Sequence, residues 1–314
     1  MLESKYGNKA RIDHDRLFKE LIENFFSDFI DLFFPEIYEQ IDFNKVQFLK
    51  QELFTDITVG EKHYIDLLIE TKLKKEDGII LIHIETQANY QSYFAERMFI
   101  YFSRLYQKYR TRIIPIAVFS YDEIKDEPSN FQMEFPFIKV LDFNYYTIEL
   151  KKKNWRDYIK SNNPVAAALM SKMGYNEKEK VQIKLEFLRM IAKMQLDIAK
   201  TTLLTGFFET YLKLNTEEER QLEKAINQLN PKEAEKMLEL TTSWHEKGRE
   251  EGIMIGMEKG IEKGIEKGIE KGELKKAREM AKELIKDNMT VELIAKYTKL
   301  PKEEVEQIKS GLKD

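Results

Sequence analysis

Apolar and polar residues alternate along two short runs in the first half of the chain, one from His63 to Thr71 (His-Tyr-Ile-Asp-Leu-Leu-Ile-Glu-Thr) and one from Leu81 to Gln87 (Leu-Ile-His-Ile-Glu-Thr-Gln). A period of two predicts β-strands, and the turn-rich stretch from Lys74 to Gly78 predicts the hairpin connection between them. Successive strand side chains point to opposite sides, so His83, Glu85 and Gln87 share one face, Ile82 and Ile84 take the other, and Asp66 lies near Glu85. Polar groups on a face of an Ile-rich strand are costly to bury without partners, which predicts a metal or a hydrogen-bond network there.

Elsewhere the pattern turns helical. From Asp13 to about Phe34 the residues Leu17, Leu21, Phe25 and Phe29 recur at helical spacing, and Pro35 is expected to end the helix. Residues 92–111 carry a second stripe, Phe94, Met98, Phe102, Leu105 and Tyr109, and Ile113 to Ser120 reads as a strand buried on both faces. The order helix, strands, helix, strand predicts an α/β core. After about Trp155 the segments 164–173, 177–195, 198–213 and 216–229 all read as helices, with Asn176 and Thr216 as expected N-caps and Pro231 opening another helix.

A low-complexity tract follows, with Gly at 252, 256, 260, 264, 268 and 272 and three successive Gly-Ile-Glu-Lys units from Gly260. Each Gly costs a helix roughly 1 kcal/mol relative to Ala, so an isolated helix here is weak. The tract reads either as a solvated helical linker or as a stripe of Gly and Ile that lets helices approach closely and the protein self-associate. Beyond Glu273, Thr290 and Pro301 mark the starts of two short helices at a spacing compatible with helix-turn-helix. Lys296, Lys299, Lys302 and Lys309 there are offset by Glu303, Glu304 and Glu306, which favours packing over DNA reading for that element.

Composition narrows the chemistry. The 314 residues are 42% hydrophobic and 12% aromatic, enough for more than one sizeable core. No apolar run approaches the ~20 residues of a membrane span, and the amino terminus lacks the apolar core of a secretion signal, so no membrane and a cytoplasmic location are expected. Without cysteine, any metal must be held by oxygen or imidazole. A net charge of −4 gives no global attraction for nucleic acid, so DNA binding needs a local basic patch. One is available between Ser92 and Arg112, where five Arg or Lys residues accompany a single acid, Glu96, and where Arg97, Arg104 and Lys108 align on one helix face. Its alternative reading is a solvated helix face.

Asp66, Glu85 and the backbone carbonyl of Thr86 could supply oxygen ligands to a hard divalent cation, for which Mg²⁺ or Mn²⁺ fits better than Zn²⁺. The alternative is acids on adjacent strands acting as surface charges or as ion pairs. His83 could be a ligand or an orienting group, but a hydrogen-bonded structural histidine is the favoured reading. His14, His63 and His245 show no ligand spacing, no phosphate-cradling Gly loop is present, and no Ser sits in a nucleophile signature.

Taken in order, Asp15-x-x-Phe18-Lys19, Asp66, Glu85-x-Gln87, then Arg97 and Tyr101 resemble the recombination-promoting nuclease family of putative transposases, placed in the PD-(D/E)XK nuclease superfamily. The resemblance covers residues 13–160 and extends to the helical middle and the Gly-x-x-x tail. It implies a restriction-endonuclease-like mixed-sheet core flanked by helices, followed by an all-helical C-terminal region. Domains are expected at 1–160 (nuclease), 161–245 (helical), 246–272 (repeat helix or linker) and 273–314 (helical hairpin).

The resemblance further implies a Mg²⁺- or Mn²⁺-dependent DNA endonuclease tied to recombination, transposition or defence, with Asp66 and Glu85 as metal ligands and Gln87 where the superfamily usually has Lys. A neutral amide can position water but brings no charge, so the electrostatic work moves to the metal or to a basic side chain such as Arg97. Lys19 would support substrate or the acidic site, and Glu20 is a candidate further acid near the metal. Two alternatives remain: a DNA-binding or assembly protein of the same fold with a weak or inactive site, and an oligomeric interaction protein built on the C-terminal helices.

Overall fold

The computed structural model describes residues 13–50, 53–55, 62–241, 269 and 272–311. They belong to two compact units that divide between Thr241 and Thr242. The repeat glycines from 252 to 268, the expectation of self-association that rests on them, and His245 lie outside the described residues.

The first unit is organised around one strand. β1 (Gln47–Phe48), β4 (Leu67–Lys72), β5 (Ile79–Gln87), β6 (Arg112–Phe119) and β9 (Tyr146–Glu149) form a five-stranded sheet in the order β1-β4-β5-β6-β9. β5 is antiparallel to β4 and parallel to β6, which is itself parallel to β9. From Ile80 to Gln87 every residue of β5 is buried, because strands flank it on both edges and helices cover the sheet. The hairpin joining β4 to β5 turns through Gly78 at φ +119°, a backbone conformation L side chains rarely adopt. The return from β5 to β6 uses α4 (Phe94–Tyr109), since parallel neighbours need a crossover.

The run that reads as one strand from 63 to 71 is two. β3 (Lys62–Tyr64) pairs with β2 (Leu53–Thr55) in a separate small sheet, the chain bends at Ile65 and Asp66, and β4 begins at Leu67. The opening helix is likewise divided. α1 (His14–Asn24) stops at Phe25, whose φ of −132° leaves the helical region, and α2 (Phe26–Phe33) continues it. The apolar stripe runs through the break because Leu21, Phe25 and Phe29 are all buried. Pro35 does not close the helical segment: it occupies the first turn of α3 (Pro35–Gln40), where its missing N–H costs nothing.

A further hairpin, β7 (Asn130–Phe135) with β8 (Ile138–Asn144), sets Phe131 opposite Phe143 and Met133 opposite Leu141. Phe131, Leu141 and Phe143 pack with Phe94, Met98 and Phe119, so the hairpin extends the core between α4 and β6.

The helical segment folds onto the sheet domain's own helices. α5 (Pro164–Leu169) has all six residues buried, capped by Asn163, whose Oδ1 accepts from the amides of Val165 and Ala166 while its Nδ2 donates to the Asp28 carbonyl in α2. α6 (Lys180–Met194) and α7 (Ile198–Tyr211) meet through Phe187 and Phe208, stacked with centroids 4.0 Å apart. Phe207 of α7 meets Phe18 of α1 edge-on at 5.0 Å. α8 (Thr216–Asn227) is capped by Asn215 in a capping box with Glu218, so Thr216 is the first helical residue and not the cap. Asn176 caps the turn that leads into α6, as expected.

In the second unit, residues 272–286 and the helices Val291–Thr298 and Lys302–Ser310 bury Ala281, Ile294, Leu300 and Val305 together. Thr290 stands at the N-cap position without a side-chain capping bond, and Pro301 is an N-cap, one position before the helix that it was expected to open. Among the described residues, no helix is long and apolar enough to cross a membrane.

Candidate active site

The β4–β5 register places Leu67 opposite Ile84, so the bend before β4 brings Asp66 level with Glu85. At that bend a carboxylate replaces a main-chain partner. Asp66 Oδ2 accepts from the Thr86 amide at 2.7 Å and from its hydroxyl at 2.9 Å, and the Asp66 amide donates to Glu85 Oε1 at 3.2 Å. The bend therefore leaves the Thr86 N–H satisfied and holds the two carboxyl groups together.

Glu85 has a second anchor. His83, fully buried two residues away on the same face, lies with Nε2 2.7 Å from Glu85 Oε1. Burial pushes the imidazole down to about 4, so the ring is neutral, and among the described residues its Nδ1 has no hydrogen-bond partner. Tyr101 of α4 packs edge-on against that ring at 5.9 Å, and burial together with the Glu85 charge raises its phenol above the ordinary range.

The two carboxyl groups hold protons far more tightly than free ones. Burial, then the charge of Glu85, raises Asp66 to about 7. Burial raises Glu85 to about 8 despite the opposing guanidinium of Arg97. The charge of Asp15, in the first turn of α1, raises both. Anionic oxygens crowded in this way favour whatever brings positive charge to them, whether a proton or a cation.

Gln87 closes the row. Its Oε1 accepts from Arg97 Nη2 at 2.6 Å and its Nε2 donates to the Asn89 carbonyl at 2.5 Å, so both ends of the amide are engaged. Arg97 also donates through Nη1 to Gln91 and lies over the Phe94 ring at 4.9 Å. Positive charge at position 87 thus arrives from Arg97 in the first turn of α4. Arg104 is half-buried one turn beyond Tyr101, and Lys108 is exposed with its ammonium 5.2 Å from the Tyr109 ring centroid. The expected basic stripe therefore separates into a guanidinium turned into the site and two cations further along the helix.

Lys19 and Glu20 are paired along α1 itself, Lys19 with Glu23 at 3.8 Å and Glu20 with Arg16 at 2.9 Å. Neither is among the charges acting on Asp66 or Glu85. The acid that does act from α1 is Asp15, five residues before Glu20 and hence about 140° round the helix. The signal for it was the helix phase: Asp15 and Phe18 are one turn apart, and Phe18 is buried. Asn89 and Gln91, which hold Gln87 and Arg97, sit in a short irregular connection where no periodicity marks them.

Among the described residues, no three His, Asp or Glu side chains are grouped so as to hold a metal ion by themselves. A cation here would rest on two carboxylates, completed by backbone oxygen and water, which suits Mg²⁺ or Mn²⁺ and not Zn²⁺.

One family model, described as "Putative transposase, YhgA-like", matches residues 12–223, more than half of the chain. Searches of curated proteins and of solved structures gave no match.

Proposed function

The chain belongs to the YhgA-like putative transposase family, which is of PD-(D/E)XK type, and from that premise we propose that it is a divalent-metal-dependent DNA endonuclease serving transposition or recombination. The family points to a transposition-related function and to DNA as substrate. The observation that carries the finer reading is the adjacency of Asp66 and Glu85, two carboxyl groups whose proton affinity is raised by burial, that of Asp66 also by the charge of Glu85. The mixed sheet, with β5 between an antiparallel and a parallel neighbour, supports assigning a restriction-endonuclease-like core.

In this reading Asp66, Glu85 and the Thr86 carbonyl hold Mg²⁺ or Mn²⁺, which when bound would polarise the scissile phosphate and acidify an attacking water. The chain's own groups do the rest. Thr86 fixes the Asp66 carboxylate through two hydrogen bonds, and His83 fixes that of Glu85. Gln87 acts as a bracket that aims Arg97, because its amide is committed at both ends. The Arg97 guanidinium supplies the positive charge for a phosphate oxygen that a Lys would otherwise bring.

The test is nicking of supercoiled plasmid in Mg²⁺ or Mn²⁺. Wild type is expected to convert it to open circles, while Asp66→Ala, shown folded by circular dichroism, leaves it intact. Cleavage retained by a folded Asp66→Ala protein would refute the assignment.

A further inference from the structure

Most lysine–acid pairs in the first unit join residues near in sequence or acids that are themselves partly covered. Lys184, for example, is buried and meets two half-covered carboxylates, Glu209 at 3.0 Å and Glu219 at 3.1 Å. Lys172 differs. Its side chain is 6% exposed, yet its described acid partner is Asp122, 2.7 Å away with a side chain 94% exposed. A buried ammonium is thus neutralised by a carboxylate that gives up almost no contact with water.

A second cation stands beside it. The carbonyl of Lys153 accepts from the Gly174 amide at 2.8 Å, and a Cβ at position 174 would lie 2.6 Å from the Lys151 carbonyl, so only glycine lets these two backbones approach. That approach brings Lys151 over the Tyr175 ring at 4.8 Å, while Lys172 lies over the Tyr211 ring at 4.9 Å. Burial first, and then the charge of Lys172, lower the proton affinity of Lys151.

The pair adjoins the carboxylates through the first turn of α1. His14 Nδ1 lies 3.0 Å from the Tyr211 hydroxyl and feels the charges of Lys172 and Asp122. Its neighbour Asp15 acts on Asp66 and Glu85. Acid centre and cation pair therefore lie on two sides of one helical turn.

We infer that Lys151 and Lys172 form a binding site for a backbone phosphate of DNA, with the exposed carboxylate of Asp122 occupying the phosphate's place until DNA displaces it. The inference rests on the endonuclease reading for the identity of the ligand and adds the contacts that hold it. A buried cation bonded to one exposed anion, whose charge also reaches a second lysine, suits a phosphodiester, which offers two non-bridging oxygens and needs no carboxylate to leave the solvent. An ordinary structural ion pair would have the opposite dependence on Asp122.

Fluorescence anisotropy with a labelled duplex in EDTA reads binding without cleavage, on the full chain. Asp122→Asn is expected to tighten binding several-fold, since it frees the pair. Lys151→Gln and the double variant Lys151→Gln/Lys172→Met are expected to weaken it and to lower the slope of log K against log salt, the double variant by about 1, at ~0.9 for the single phosphate held. Weaker or unchanged binding by Asp122→Asn, or a wild-type salt slope in a folded Lys151→Gln protein, would overturn the inference. Asp122→Asn keeps the test decisive if the buried Lys172 proves necessary for folding. Plasmid nicking read alongside separates the two ideas: a wild type that nicks while the variants bind alike sinks the phosphate site alone, and one that binds through the pair without nicking sinks the nuclease.

Discussion

Replacing Asp66 by Asn should stabilise the protein while destroying its proposed chemistry. The carboxyl has a folded-state pKa of about 7 against 3.8 as the ordinary value. An acid with a raised folded pKa contributes stability that is present below its unfolded value and lost as pH rises through the folded one. At pH 5 the native state keeps most of a proton that the unfolded chain has already lost, so the substitution gains on the order of 1–2 kcal/mol, from about one pH unit at 1.36 kcal/mol. At pH 8.5 the native state must carry the charge beside Glu85, at a cost of order 3 kcal/mol relative to pH 5, from roughly two pH units at 1.36 kcal/mol each. Asn removes that charge and keeps an oxygen for the Thr86 amide and hydroxyl. For a unit of this size about 1 kcal/mol moves the midpoint by roughly 2–4 °C, so the gain is expected to be about 5–10 °C larger at pH 8.5 than at pH 5. Differential scanning calorimetry in EDTA at the two pH values measures it. An equal effect at pH 5 and pH 8.5, or a lower midpoint at pH 8.5, would refute the account of Asp66 as a buried, repelled carboxylate.

Arg97→Lys keeps the charge but cannot reach Gln87 and Gln91 together, so plasmid nicking should fall about tenfold, and Arg97→Met should lose at least ~100-fold, the scale of a lost transition-state donor; Arg97→Met nicking at the wild-type rate would remove the guanidinium from the proposed chemistry. Phe207→Ala empties a site packed against Phe18 at 5.0 Å and Tyr211 at 4.9 Å and should cost about 3–5 kcal/mol in urea unfolding. Because α7 and α1 share that core, far-ultraviolet and tryptophan signals should shift together, and separate transitions would contradict one cooperative unit.

α4 and the helices α6 to α8 were legible because each has one solvated side and one buried side, which a period of 3.6 records, and the hairpin of β4 and β5 was legible from its alternation of polar and apolar residues, although β5, like α5, is buried almost throughout. The break at Phe25 was not, since both helices bury the same stripe and the spacing passes through it undisturbed. Nor was the hairpin of β7 and β8, whose tip exposes Phe135, Phe137 and Ile138, so that no apolar–polar contrast sets its faces apart. Within the site, the shared face of His83, Glu85 and Gln87 followed from strand geometry alone. The acid on α1 depended on rotation about the helix, which placed Asp15 and not Glu20 among the charges on the carboxylates. The role of Gln87 depended on residues in an irregular connection, where no period exists to be read.

The position of β5 has a consequence for how the site opens. Its amides from Ile80 to Ile84 lie between two strands under helices on a fully buried segment, so their hydrogen exchange should require unfolding of the whole first unit. His83, Glu85 and Gln87 travel on that slow strand. Asp66 sits at a bend where β4 has not yet begun, tied across by the Thr86 contacts, and its amide should exchange through a smaller, more frequent opening. The two carboxylates would then part by the movement of Asp66 alone, with Glu85 as the fixed jaw.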